Sequence, residues 1–174
     1  IARAAGGDYD VRRAFPYSGY ETYKFDVIGA SNGDVYDRYI TRVAEMRESV
    51  KIIRQALDRI EPVGDWQVAD RKVAPPPKDE VYTEMEALIQ HFLIYSQGFN
   101  VPAGEAYGYT EAANGELGFY LVSDGGGRPY KLGLRAPGWP MLASLPWMLR
   151  GALLADLVPT FDSINMIGGE VEQP

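Results

Sequence analysis

Apolar residues recur through residues 34–60 at alternating spacings of three and four: Tyr36, Tyr39, Val43, Met46, Val50, Ile53, Leu57 and Ile60. That spacing draws one seam along an α-helix. The helix would hold about 27 residues and run roughly 40 Å. Asp34 is placed to cap its first turn. Arg38, Arg42, Glu45, Glu48, Arg54 and Asp58 occupy its other faces, and Pro62 and Gly64 should end it. A second seam, Val81, Met85, Leu88, Ile89, Phe92 and Tyr95, follows Asp79 and stops at Gly98. Between the two lies a linker, residues 62–79, in which Pro75-Pro76-Pro77 forms a stiff extended spacer. Two seams on either side of a short connection predict antiparallel helices of a bundle.

The period changes at Gly104. Ala106 to Glu111, Leu117 to Val122 and Tyr130 to Leu134 read as strands, with Asn114-Gly115 and Asp124-Gly125-Gly126-Gly127 as the turns between them. Residues 104–135 are therefore expected to form a three-stranded antiparallel meander. Residues 136–174 read as short helices and a tail, with a stripe of Leu142, Leu145, Met148, Leu149, Ala152 and Leu153. Residues 1–33 read as extended or irregular, with an Asn32-Gly33 turn before the first helix. The fold class is mainly α with a small antiparallel β meander, α+β.

Composition narrows the classes of function. The 174 residues are 46% apolar and 24% charged, a globular balance. A net charge of −7 argues against nucleic acid as a partner, because phosphate binding needs clustered Lys and Arg. No apolar run approaches the roughly 20 residues of a membrane span. Zero cysteines exclude disulfides, thiolate zinc sites, cysteine-held iron–sulfur clusters and a nickel-iron centre within the chain. Ile1 to Asp10 lacks the basic and apolar regions of a secretory leader, and the absent initiator Met suggests processing or a longer parent.

Candidate chemistry is sparse. Gly125 to Gly127 lead to Pro129 and a strand, so a hairpin turn is favoured over a phosphate loop. His91, the single histidine, lies off the Met85, Leu88, Phe92 stripe and reads as a flank residue. Asp8, Asp10, Glu111, Glu116, Asp124, Glu170 and Glu172 could pair for acid–base work or bind a hard cation, but none has the spacing of a ligand loop. Most are expected on the solvated surface or in turns. The aromatics Phe15, Tyr17, Tyr20, Tyr23 and Phe25, near Arg12, Arg13 and Lys24, read as packing rather than a base-stacking platform.

Several segments in order resemble the quinone-side 49 kDa-type (D-type) subunit of respiratory complex I, a family related to the large subunits of nickel-iron hydrogenases. They are Asp8-Tyr9-Asp10-Val11-Arg12 with Pro16-Tyr17, Gly33-Asp34-Val35-Tyr36-Asp37-Arg38, and Glu45-Met46-Arg47-Glu48-Ser49. Met85-Glu86-Ala87-Leu88-Ile89 with His91-Phe92, Gly104-Glu105-Ala106-Tyr107 and Glu111-Ala112 follow. The run from Gly115 to Gly126, with Glu116, Asp124, Gly125 and Gly126 as its signature, then Pro129-Tyr130 and Gly169-Glu170-Val171-Glu172, completes the set.

The resemblance covers the later part of the family's sequence and implies the later part of a hydrogenase-large-subunit-like helical bundle. It implies a share in the quinone-reduction chamber of an NADH–quinone oxidoreductase, with Asn165, Ile167 and Gln173 at the chamber wall. It implies no catalytic residue, cofactor or metal held by this chain. Quinone would be the substrate, a 4Fe-4S cluster would sit in the partner iron–sulfur small subunit (B type), and NADH would be used elsewhere in the complex. Further implied partners are a C-type subunit and the membrane-arm subunits, with the chain peripheral on the cytoplasmic face of a bacterial inner membrane or its matrix or stromal equivalent. Where the family usually has Asp, Arg and Ser-Phe, this chain has Asn165, Gln173 and Gly138-Trp139. Those departures leave a second reading open, a divergent or truncated scaffold without quinone chemistry.

Overall fold

The computed structural model describes residues 1–61, 64 and 67–172. Pro62, expected to end the first long helix, lies outside them, as does Gln173. About 47% of the chain is helical, and the rest of its regular structure is a small antiparallel sheet of three strands, so the α+β class holds. The chain divides into two units, residues 1–60, 108–118 and 134–174 in the first, and 61–107 and 119–133 in the second.

The first unit opens with a 3-10 turn, Arg3–Ala5, and a short helix α1, Val11–Ala14, in a stretch that reads as irregular from sequence. Asp10 starts α1 by accepting the Arg12 N–H on its carboxylate. A second 3-10 turn covers Tyr20–Thr22. The long helix α2, Val35–Arg59, begins as predicted, with the Asp34 carboxylate accepting the Asp37 N–H at 2.7 Å. Gly33 enters it with φ +70°, a left-handed conformation that favours glycine.

The faces of α2 are used in the reverse of the expected sense. Asp37, Arg38, Thr41 and Glu48 are buried, while Tyr36, Tyr39, Met46, Val50, Ile53, Leu57 and Ile60 are exposed. The reason lies in the segment before the helix. Residues 23–32 lie in no helix or strand and would leave backbone groups unpaired, and α2 side chains satisfy several of them. Gln55 exchanges hydrogen bonds with the Lys24 main chain, Glu48 accepts the Asp26 N–H, Arg59 donates to Thr22, and Asp37 accepts the Asn32 N–H. A polar face is thereby covered within the unit and the apolar seam is left outward.

The sheet has the order β1–β2–β3, with β1 Gly104–Ala112, β2 Gly115–Ser123 and β3 Lys131–Arg135. Residues 108–118 and 134–135 belong to the first unit and the remaining strand residues to the second. The second unit also carries the other apolar seam, predicted as one helix and found as two: α3, Lys78–Thr83, and α4, Met85–Ser96. Glu84 between them is extended, at φ −119° and ψ 129°. Val81, Tyr82 and Thr83 are poor helix formers, and Thr83 Oγ1 bonds back to the Asp79 carbonyl, a contact that bends helices. The helix α4 stops at Gly98 as expected.

In the first unit, α5, Gly138–Met148, a 3-10 turn Leu154–Asp156, α6, Leu157–Ile164, and α7, Gly168–Val171, complete the chain. The predicted stripe to Leu153 is cut at Met148. Pro146 sits in the last turn of α5, and Gly151 follows with φ +81°. The core of this unit is Ala4, Val11, Phe25, Ala136 and Ile164, interleaved with buried polar groups. The aromatic cluster packs as expected. Tyr17 meets Tyr20 edge-on at 5.0 Å, and the guanidiniums of Arg12 and Arg13 lie over the Phe25 ring at 4.7 and 4.2 Å.

Candidate functional site

Asn165 ends α6 in the left-handed conformation, φ 57° and ψ 52°, which Asn tolerates better than other side chains with a Cβ. Its N–H returns to the Asp162 carbonyl at 3.1 Å. Its side chain is tied to Asn114, in the turn joining β1 to β2. Asn165 Nδ2 donates to Asn114 Oδ1 and Asn114 Nδ2 donates to the Asn165 carbonyl, both at 2.8 Å. Ile167, 46% exposed, precedes α7, and its carbonyl accepts the Glu170 N–H at 3.0 Å. Asn165 and Ile167 thus share one corner of the first unit; Gln173 falls outside the described residues.

Glu170, expected at the surface, is corrected by the structure. Its Oε2 accepts the N–H of Gly138, the first residue of α5, at 2.8 Å. A carboxylate there also suits the positive end of the helix dipole. A Cβ at position 138 would lie 2.5 Å from Glu170 Oε2 and 3.3 Å from its Cβ. The glycine is therefore what lets the carboxylate reach the helix end. Gly138→Ser is expected to displace Glu170 and cost about 1 kcal/mol, the usual worth of a lost cap, measured by urea denaturation of the full-length protein.

Two further acids expected at the surface or in a turn are drawn inward. Asp10 is 1% exposed and accepts from Arg3 Nη1 at 3.1 Å and from Arg12 Nη2 at 2.7 Å and Nε at 3.0 Å. Glu111, on β1, accepts from Arg3 Nη2 at 2.6 Å and from the Val11 N–H at 3.1 Å. Arg3 Nη1 reaches Glu45 of α2 as well, at 3.2 Å. Three pieces of chain distant in sequence are held on one guanidinium. Burial pushes the Asp10 carboxyl up, but the hydrogen bonds and charge of Arg12, with Arg3 behind them, hold it below its ordinary value. Burial dominates at Glu111 and lifts it above the ordinary carboxylate value, only partly offset by the Val11 N–H and Arg3.

Beside this cluster α2, α6 and the β1–β2 turn line a cavity of about 220 Å3. Arg38, Thr41 and Arg42 of α2 and Ser163 of α6 are on its wall. Arg38 Nε donates to Ser163 Oγ at 2.8 Å and Arg42 Nη2 to the Ser163 carbonyl at 3.1 Å. Sequence reasoning places Arg38 and Arg42 on outward faces, and the structure turns both inward. The buried-polar signal is the spacing of Arg38, Thr41, Arg42 and Glu45 along one side of α2.

The remaining residues singled out by sequence stay local, except Glu116, expected to hold its own turn, which reaches Tyr9, 107 residues away. Asp124 Oδ1 accepts the Gly126 N–H at 3.1 Å and Gly125 has φ +101°, a turn leading to β3, as predicted. Glu116 accepts from the Tyr9 hydroxyl at 2.9 Å, while its carbonyl receives Arg135 Nη1. His91 rests against the Tyr95 ring at 4.6 Å. Asp8 and Glu172 are exposed. Among the described residues no group of three or more His, Cys, Asp or Glu is placed to hold a metal, and no helix is long and apolar enough to cross a membrane.

Known proteins match along the whole chain. The family described as the respiratory-chain NADH dehydrogenase 49 kDa subunit covers residues 1–173. The second D-type subunit of the NADH-quinone oxidoreductase of Anaeromyxobacter sp. (strain K) is 63% identical over 98% of the chain, which spans 39% of that relative. The D-type subunit of the same enzyme in Myxococcus xanthus (strain DK1622) is 56% identical over 98% of the chain and 41% of the relative. NADH-quinone oxidoreductase subunit 4 of Thermus thermophilus is 50% identical over 98% of the chain and 42% of the relative. The chain thus spans about two-fifths of the length of the curated relatives it matches. With the family covering residues 1–173 in one continuous stretch, the chain belongs to the 49 kDa subunit family of respiratory-chain NADH dehydrogenases.

Proposed function

We propose that this chain forms part of the quinone-reduction chamber of an NADH–quinone oxidoreductase, with Asn165, Ile167 and Gln173 contributing to the chamber wall. The observation that carries the reading is family membership across residues 1–173. The geometry at the end of α6 supports it. An amide held by a left-handed turn and an apolar side chain two residues on would present one polar and one greasy contact to a quinone. The chain's part is binding and orientation. Its lack of cysteine fits a division of labour in which a 4Fe-4S cluster in a B-type small-subunit partner supplies the electrons and NADH is oxidised elsewhere. A C-type subunit and the membrane arm complete the proposed set of partners, with the chain peripheral on the cytoplasmic side of a bacterial inner membrane.

The test is turnover in the assembled complex. Asn165→Leu removes a polar contact and Ile167→Met reshapes an apolar one, each worth about 1 kcal/mol. Quinone turnover or quinone-site inhibitor sensitivity is expected to change about five- to tenfold. Unchanged values for both variants would remove these residues from the wall.

A scaffold reading has one observation in its favour. Asn114 engages both the side-chain amide nitrogen and the main-chain carbonyl of Asn165, so this residue has a structural task. If Asn165→Leu lowers thermal stability while leaving turnover per folded complex intact, the scaffold reading is preferred at that position.

A further inference from the structure

We propose that Asn114 is a positioning residue, whose side chain orients the Asn165 amide and so sets the contact that amide offers to a quinone, a role that rests on Asn165 standing at the chamber wall. Asn114 lies in the two-residue loop between β1, which ends at Ala112, and β2, which begins at Gly115. Asn is common in such loops because it tolerates a left-handed backbone. Position 114 makes no such demand. Among the described residues other than glycine, Ser18 and Asn165 have positive φ, and Asn114 does not. Its backbone suits most side chains, so it is the amide itself that the corner uses.

Two hydrogen bonds fix both amides. A carbonyl oxygen only accepts, so the Asn165 carbonyl makes Asn114 turn Nδ2 towards it, at 2.8 Å. Asn114 Oδ1 then lies on the other side and also only accepts, so Asn165 must meet it with Nδ2, again at 2.8 Å. Asn165 Oδ1 is thereby excluded from the pair, and the amide cannot flip without losing a bond. A flipped amide would exchange donor and acceptor at whatever contact residue 165 makes. The support is rigid. Asn114 projects from a loop set by two paired strands, and a Cβ at position 115 would lie 3.6 Å from the Cβ of Pro137, the residue before α5. Glu170 holds the other end of the corner on the Gly138 N–H at 2.8 Å. Support of this kind keeps a contact within about 0.5 Å of its working geometry.

The experiment is steady-state quinone reduction by the assembled complex, with a short-chain benzoquinone as the varied substrate. Asn114→Ala removes both bonds and is expected to raise KM about fivefold while kcat changes less than about twofold. Asn114→Asp, of nearly the same size, sets an oxygen against the Asn165 carbonyl and should raise KM in the same way. It covers the case in which Asn114→Ala does not assemble. Added to Asn165→Leu, either change should raise KM no further, because the amide it orients is gone. The assignment fails if KM is unchanged while Asn165→Leu raises it, if the two effects multiply, or if the variants lower only the melting temperature. A KM untouched by Asn165→Leu itself would remove Asn165 from the chamber wall and Asn114 from its role with it.

Discussion

Asp10→Ala is expected to destabilise the full-length protein by about 3–5 kcal/mol, the cost of breaking a buried ion pair from one side. Asp10 is the shared acceptor of Arg3 and Arg12 and the cap of α1, so its loss takes the carboxylate from Arg12, removes one of the three acids around Arg3 and frees the Arg12 N–H. Urea denaturation gives the number, and a change below about 1 kcal/mol would show that the cluster is solvated in solution. The pH dependence separates the two carboxylates. Asp10 has a folded-state value held below 3.8, so its contribution is fully present above that value and is lost as pH falls through the folded one. Glu111 runs the other way. Its folded-state value lies above 4.5, so stability declines as pH rises from 4.5 to the folded value and is level beyond it. Asp10→Asn should remove the first slope and leave the second, and Glu111→Gln the reverse.

The second large effect concerns the outward seam of α2. Ile53 and Leu57 are 56% and 63% exposed, on a helix whose polar side is already covered. An exposed apolar stripe of this length marks a contact surface, and we expect the rest of the family's helical bundle to cover it. The 174 residues expressed alone should therefore aggregate, and Ile53→Lys with Leu57→Lys should make them more soluble. In the full-length protein the same pair should be harmful, because each lost burial is worth about 1.5–3 kcal/mol. Sedimentation of the isolated chain and yield of the assembled complex read the two arms. A soluble, monomeric native chain, or normal assembly of the double variant, would show that nothing packs on the seam.

Local chemistry makes much of the fold legible. Asp34 announces the start of α2 because a carboxylate can take a free N–H of the first turn, and Asn114-Gly115 and Asp124-Gly125 announce hairpins because they accept the turn backbone. The break at Glu84 is hidden, since a seam tolerates a kink that keeps the apolar side in register. The small helix α1 is hidden because four residues carry no period, although Asp10 ahead of Val11 is its cap. At the candidate site, family motifs point to Asn165 and Ile167. Nothing in the sequence links Asn165 to Asn114, 51 residues away, or Glu170 to Gly138, 32 residues away.

The sequence alone determined where the long helix and the three strands lie, the α+β class, the lack of thiol chemistry and, through ordered motifs, the family. Those properties are local or compositional, and each depends on residues close together in the chain. Tertiary structure decided which face of α2 is covered, that Asp10 and Glu111 are buried rather than solvated, and that Arg38, Thr41 and Arg42 line a cavity. The physical reason is that periodicity reports which side of a helix is apolar, whereas burial depends on what stands opposite. Opposite the polar side of α2 runs an irregular segment whose backbone needed hydrogen-bond partners more than it needed an apolar neighbour.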